Sequence, residues 1–172
     1  MTAANEKSPL INYSHIAIGV TDMTRSLPFY EALGFKVFID RIERNAALDD
    51  AMSASGANED RRVCYMRATD AHPPQFLSLH YRASIQNKPL KAEEIGINHA
   101  SIWVNDMDAV LAGIKSAGGS ISIPPFVAEG DGWTLQPGHW VRSTFIADPD
   151  GTLIQLDQIV PVPTPEMGPI YK

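Results

Sequence analysis

Two histidines, His15 and His99, stand at the same place in two similar stretches of this chain. The first stretch reads SHIAIGVTDMTRSLPFYEALGF from Ser14. The second reads NHASIWVNDMDAVLAGIKSAGG from Asn98, aligned without a gap at an offset of 84 residues. Asp22 and Asp106, each followed by Met, coincide, as do Leu27 with Leu111 and Gly34 with Gly118. A neutral imidazole ligates Zn, Fe, Ni or Mn and exchanges protons near neutral pH. A single histidine on a strand is usually structural. Two at repeat-equivalent places point to a shared site, provided the repeat folds so that they meet.

The elements that must position them follow from the same stretches. His15, Ala17 and Gly19 alternate with Ile16, Ile18 and Val20; His99, Ser101 and Trp103 alternate with Ala100, Ile102 and Val104. Each is a strand with one apolar face and one face led by histidine. Asp22 and Asp106 fall where a helix N-cap belongs, and Gly34 and Gly118 where a helix stops near Leu33 and Ala117. Pro28 predicts a kink or an irregular turn in the first helix. Further strands are expected over 35–41, 61–68 and 75–82 in the first copy, and near 120–123, 141–147 and 153–159 in the second. The stretch 46–60 reads as a long excursion, 124–139 as a second long loop, and the proline-rich end as an extended tail. Two such units, each with an open sheet face, would close around one concavity.

Composition narrows the classes. The chain has 172 residues, of which 44% are hydrophobic and 20% charged, which suits a folded chain with a sizeable core. Its net charge of −6 disfavours nucleic acid as a partner. No apolar run approaches the roughly 20 residues of a membrane helix. The opening MTAANEKSPL lacks the apolar core of a secretory signal. Cys64 is the only cysteine, which excludes an intrachain disulfide; within Val63–Met66 it reads as a buried structural thiol. A cytoplasmic location is the expectation. Arg61 and Arg62 read as a solvated strand edge rather than as contacts to an anionic substrate.

The opening segment HIAIGVTDMTRSLPFYEALGF and the closing segment FIADPDGTLIQLDQ resemble the signatures of vicinal-oxygen-chelate modules, the glyoxalase/bleomycin-resistance/dioxygenase type. The resemblance covers about residues 11–160. It implies an α+β fold of two tandem βαβββ modules, 11–84 and 95–160, whose sheets enclose one cavity, followed by a tail over 161–172. It also implies one divalent metal ion, Fe(II), Zn, Ni, Co or Mn, held by the first and last strands of each module, with a metal-free member as the alternative.

Carried over by position, the metal ligands would be His15, His99 and Gln155. The fourth place falls on Ser78, a poor ligand. Both carboxylates usual in the family are therefore missing here. His80 and Asp157 share the faces of Ser78 and Gln155. With no glutamate to shuttle protons, a base would have to come from His80, Asp157 or the loop residue His139. Ser78, Trp103, Trp133 and Trp140 are the expected substrate contacts, and three indoles favour an apolar or aromatic compound. The resemblance thus implies a small-molecule substrate, with lyase, isomerase or oxygenase chemistry through a metal-chelated oxyanion. The alternative is metal-free binding of an apolar ligand in the same cavity. A homodimer is compatible with either.

Overall fold

The computed structural model describes residues 13–43, 60–69, 75–84, 88–91, 94–133 and 135–171. The alternation in the two leading strands is realised. In β1 (His15–Val20) Ile18 and Val20 are buried, while His15, Ala17 and Gly19 are exposed. β5 (His99–Trp103) repeats the pattern with His99, Ser101 and Trp103 exposed.

Each leading strand feeds a helix, α1 (Met23–Ala32) or α2 (Met107–Ser116). The Asp22 carboxylate accepts from Thr24 N–H and that of Asp106 from Ala109 N–H, which starts both helices. Gly34 and Gly118 adopt φ of 96° and 82°, and the following amides return to the third-last carbonyls, Phe35 N–H to Tyr30 and Gly119 N–H to Ile114. Only a residue without Cβ takes that left-handed step cheaply. Pro28 lies within α1 and the helix continues through it.

β2 (Lys36–Glu43), β3 (Arg61–Arg67) and β4 (Phe76–Tyr81) complete the first sheet in the order β1-β4-β3-β2, with β1 parallel to β4. β6 (Ser120–Glu129), β7 (Trp140–Ala147) and β8 (Leu153–Val160) build the second in the order β5-β8-β7-β6. The fold is the α+β pair of βαβββ units read from the repeat.

Three places differ from the sequence reading or fall outside it. β6 was expected to end at Ile123 but runs through Pro124 and Pro125 to Glu129. Register shifts between Ile121 and Ile123, and between Ile123 and Phe126, interrupt the ladder where the prolines cannot donate. The Thr144 hydroxyl satisfies the Ile123 carbonyl instead, at 2.6 Å. The tail is not merely extended: Ile170–Tyr171 form β9, which pairs with β6 in parallel. The expected excursion over 46–60 lies, apart from Asp60, outside the described residues.

The two units share one core. Phe29, Tyr30, Met66 and Leu79 from the first pack in the same cluster as Met107, Ile114, Ile154 and Leu156 from the second. The helices touch where Ala32 faces Gly113. A polar clamp adds to this. Asp148 and Asp150 sit in the turn between β7 and β8. The Tyr30 hydroxyl donates to Asp148 Oδ2 at 2.9 Å, and Thr21 N–H donates to Asp150 Oδ2 at 2.7 Å. The Arg25 guanidinium pairs with Asp150 at 2.9 Å.

Burial raises the Asp148 carboxyl above its usual range, against the opposing hydrogen bonds from Thr152, Tyr30 and Asp150. Folding therefore favours its protonated form. That contribution is complete below the unfolded value of about 3.9 and is lost as pH rises through the folded value. Asp148→Asn keeps an acceptor for the Asp150 and Thr152 amides and removes the charge. Urea unfolding at pH 4 and pH 7 is expected to show the stability difference, wild type minus variant, becoming less favourable at the higher pH. A difference independent of pH would refute the assignment.

Candidate functional site

β1 and β5 are edge strands, and each pairs on one side only. Along the free edge of β1, between it and the starts of β5 and β8, lies a cavity of about 730 Å³. His15, His80 and His99 all line it, so the two repeat-equivalent histidines border one hollow. Ile16, Ile18, Leu90, Ile97 and Leu153 supply apolar wall.

The three rings are held differently. His15 stacks on Phe76 with centroids 4.9 Å apart, and its Nδ1 pairs with Ser14 Oγ at 2.9 Å. His99 sits edge-on to Phe145, and its Nδ1 lies 2.6 Å from Asn98 Oδ1. An amide oxygen can only accept, so Nδ1 carries the proton and Nε2 of the neutral His99 ring is the acceptor. His80 Nε2 lies 2.6 Å from the hydroxyl of Ser78, which is buried beneath it. Burial first, then the nearby Arg61 guanidinium, pushes the His80 imidazole below its ordinary range; His15 and Arg82 act the same way, and Glu43 opposes them. His80 is therefore a neutral ring at pH 7, able to take up a proton.

Sequence reasoning missed the charged lining of this end of the cavity. Arg61 was read as a solvated edge, but it is 6% exposed, lines the cavity and donates to Glu43 at 2.9 Å. Arg82, also buried, and Lys88 line the same cavity. The signal for Arg82 was present, because it lies two residues beyond His80 on the same face. Arg62 points the other way, paired with Asp40. Cys64 is buried and its thiol is pushed up to about 11, mainly by burial, which fits a structural role.

The second module uses the twin positions differently. His80 corresponds to Asp157, Ala17 to Ser101 and Gly19 to Trp103. Asp157 is fully buried; the Ser101 hydroxyl donates to it, and the Gln155 amide donates to it at 2.9 Å and to Ser143 at 3.3 Å. Neither Gln155 nor Asp157 lines the cavity, and nor do Ser78 and Trp103. Trp103 is 52% exposed, on the face of β5 that also carries His99 and Ser101. Trp133 ends a short helical turn over 130–133 and Trp140 opens β7. His139 is exposed, with its ring on the Gln136 carbonyl at 2.8 Å. These three residues also lie outside the cavity lining.

With this geometry the comparisons with known proteins agree. The profile described as Glyoxalase/Bleomycin resistance protein/Dioxygenase superfamily matches residues 12–156, and the chain belongs to that superfamily. A glyoxalase family protein from Bacillus cereus superposes with a TM-score of 0.69 at 15% identity, covering 91% of this chain and 99% of that one. Trypanothione-dependent glyoxalase I of Leishmania major gives 0.54 at 23% identity, covering 86% of each chain. A glyoxalase family protein from Enterococcus faecalis gives 0.57 at 20%, covering 85% and 96%. At these identities the likeness shows the fold. Comparison with curated proteins gives no match. No helix among the described residues is long and apolar enough to cross a membrane.

Metal binding is common in this superfamily, but the donor set here does not fit such a centre. Ser78 and Gln155 stand where carboxylates would be needed. Ser78 is committed to His80, and Gln155, whose NH2 group donates to Asp157 and Ser143, does not line the cavity with His15 and His99. Among the described residues no group of three His, Cys, Asp or Glu side chains could hold a metal ion.

Proposed function

We propose that the cavity along β1 binds a small, apolar or aromatic, oxygen-bearing organic molecule and moves a proton on it without a metal. The observation that carries this is the convergence of His15, His80 and His99 on one apolar-walled hollow. His80, neutral and half-buried, is suited to remove a proton from carbon or oxygen. His15 is suited to hydrogen-bond the substrate oxygen on which negative charge then develops, and the acceptor Nε2 of His99 to take a hydrogen bond from a substrate hydroxyl. The chemistry is of the isomerase or lyase kind, through an enolate-like anion.

A second reading keeps the metal. It rests on His15 and His99 occupying the twin positions from which family resemblance implies metal ligation. Elemental analysis of protein purified without an affinity-metal step separates the two. Substoichiometric metal, with one neutral fluorophore such as N-phenylnaphthylamine bound per chain, is the expected result. Stoichiometric metal lost in both His15→Ala and His99→Ala would overturn the metal-free reading.

A further inference from the structure

We infer that the end of this cavity nearest His80 is a carboxylate subsite, so that the ligand is an organic acid with an apolar body. The inference rests on the cavity being the binding site, and it adds the ligand's charge. Among the described residues, Arg61, Arg82 and Lys88 line the cavity together with the carboxylate Asp150, and Glu43 pairs with Arg61. Asp150 is already engaged by Thr21 and Arg25.

Arg61 is the centre of the argument. A guanidinium has five N–H donors. The Arg61 side chain is about nine-tenths buried, donates to Glu43 at 2.9 Å, and has its Nε buried with no hydrogen-bond partner among the described residues. Glu43 is shared, since Arg41 Nε also donates to it, at 2.7 Å. One carboxylate divided between two guanidinium groups leaves donor capacity over. A buried cation with an unpartnered Nε–H beside an apolar cavity is suited to a ligand carboxylate, which a planar fork can hold by charge-assisted hydrogen bonds. Lys88, exposed at the cavity rim, would attract the anion from solvent. The carboxylate held here would place the neighbouring carbon against His80.

Phenylacetate and its neutral isostere phenylacetamide test this by displacement of the neutral fluorophore. The acid is expected to bind at least about tenfold tighter than the amide in the wild type. Lys88→Gln, on the exposed link between the modules, is expected to reduce that preference about threefold without changing the melting temperature. Arg61→Gln should remove most of it, and Arg61→Lys should restore part; the lysine variant and a melting curve distinguish a lost contact from a lost fold. Equal binding of acid and amide in the wild type, or a preference unchanged in both Lys88→Gln and Arg61→Gln, overturns the carboxylate subsite and leaves the cavity reading standing. Failure of both compounds to displace the fluorophore also overturns it. The cavity reading falls with it only if the fluorophore is indifferent to filling the cavity at Gly19.

Discussion

Gly19→Trp is expected to weaken ligand binding about 100-fold or more, roughly 2.8 kcal/mol at 1.4 kcal/mol per tenfold, while the protein folds and melts as before. Gly19 lies in β1 opposite His80 in the β1–β4 register and lines the cavity. A Cβ built there meets nothing within 4 Å, and its φ is not in the left-handed range, so a side chain enters without backbone strain. A glycine inside a strand usually costs stability, and replacing it should be neutral or mildly favourable to the fold. The indole would project over His80 into the hollow. Trp103 is the natural precedent, since it holds the same register place against Asp157 in the second module. Gly19→Ala, adding one methyl group, should change affinity only slightly. Titration of the neutral fluorophore into the three proteins, with a melting curve for each, measures the effect. Undiminished binding in a folded Gly19→Trp protein would remove β1 from the site.

The contrast between Gly19 and Trp103 shows what the sequence made legible and what it withheld. The duplication was readable because an unbroken offset preserves strand phase, capping aspartates and stopping glycines, all of which act locally. It follows that His15 and His99 share a face type, and a common cavity is then a consequence of packing two like units. What could not be read is the asymmetry between them. Twin positions suggested that His80 and Asp157 could each serve as a base. Yet Asp157 is sealed beneath Ser101 and Gln155 while His80 opens onto the cavity. Side-chain size at two places in β1, Ala17 and Gly19, against Ser101 and Trp103 in β5, goes with the difference. Arg61 was misread for a related reason. Its exposure depends on the cavity wall and on Glu43, which are distant in sequence, and no local pattern reports them.

Phe29→Ala should be the most damaging single change to the fold, costing about 3–5 kcal/mol and lowering the stability of both modules in one transition. Phe29 belongs to the first module's helix, but its fully buried ring rests at the end of the second module's helix. A Cβ added at Gly119 would stand 2.7 Å from Phe29 Cδ2 and 2.6 Å from Ile114 Cγ2. The ring thus occupies space that only glycine leaves free. Deleting it opens a cavity between α1 and α2, beneath the strands that carry His15 and His99, and a loss of that size is a large part of a typical domain's 5–15 kcal/mol. Gly119→Ala attacks the same contact from the other side and should cost about 1–3 kcal/mol by overpacking. Because both changes act on one contact, their effects should not add. In the double variant the alanine at 119 enters space the ring has vacated, and the combined loss should fall short of the sum by more than about 0.5 kcal/mol. Strict additivity in urea unfolding, or two separate transitions in Phe29→Ala, would mean that the modules are stabilised independently and that the cavity between them does not depend on this contact.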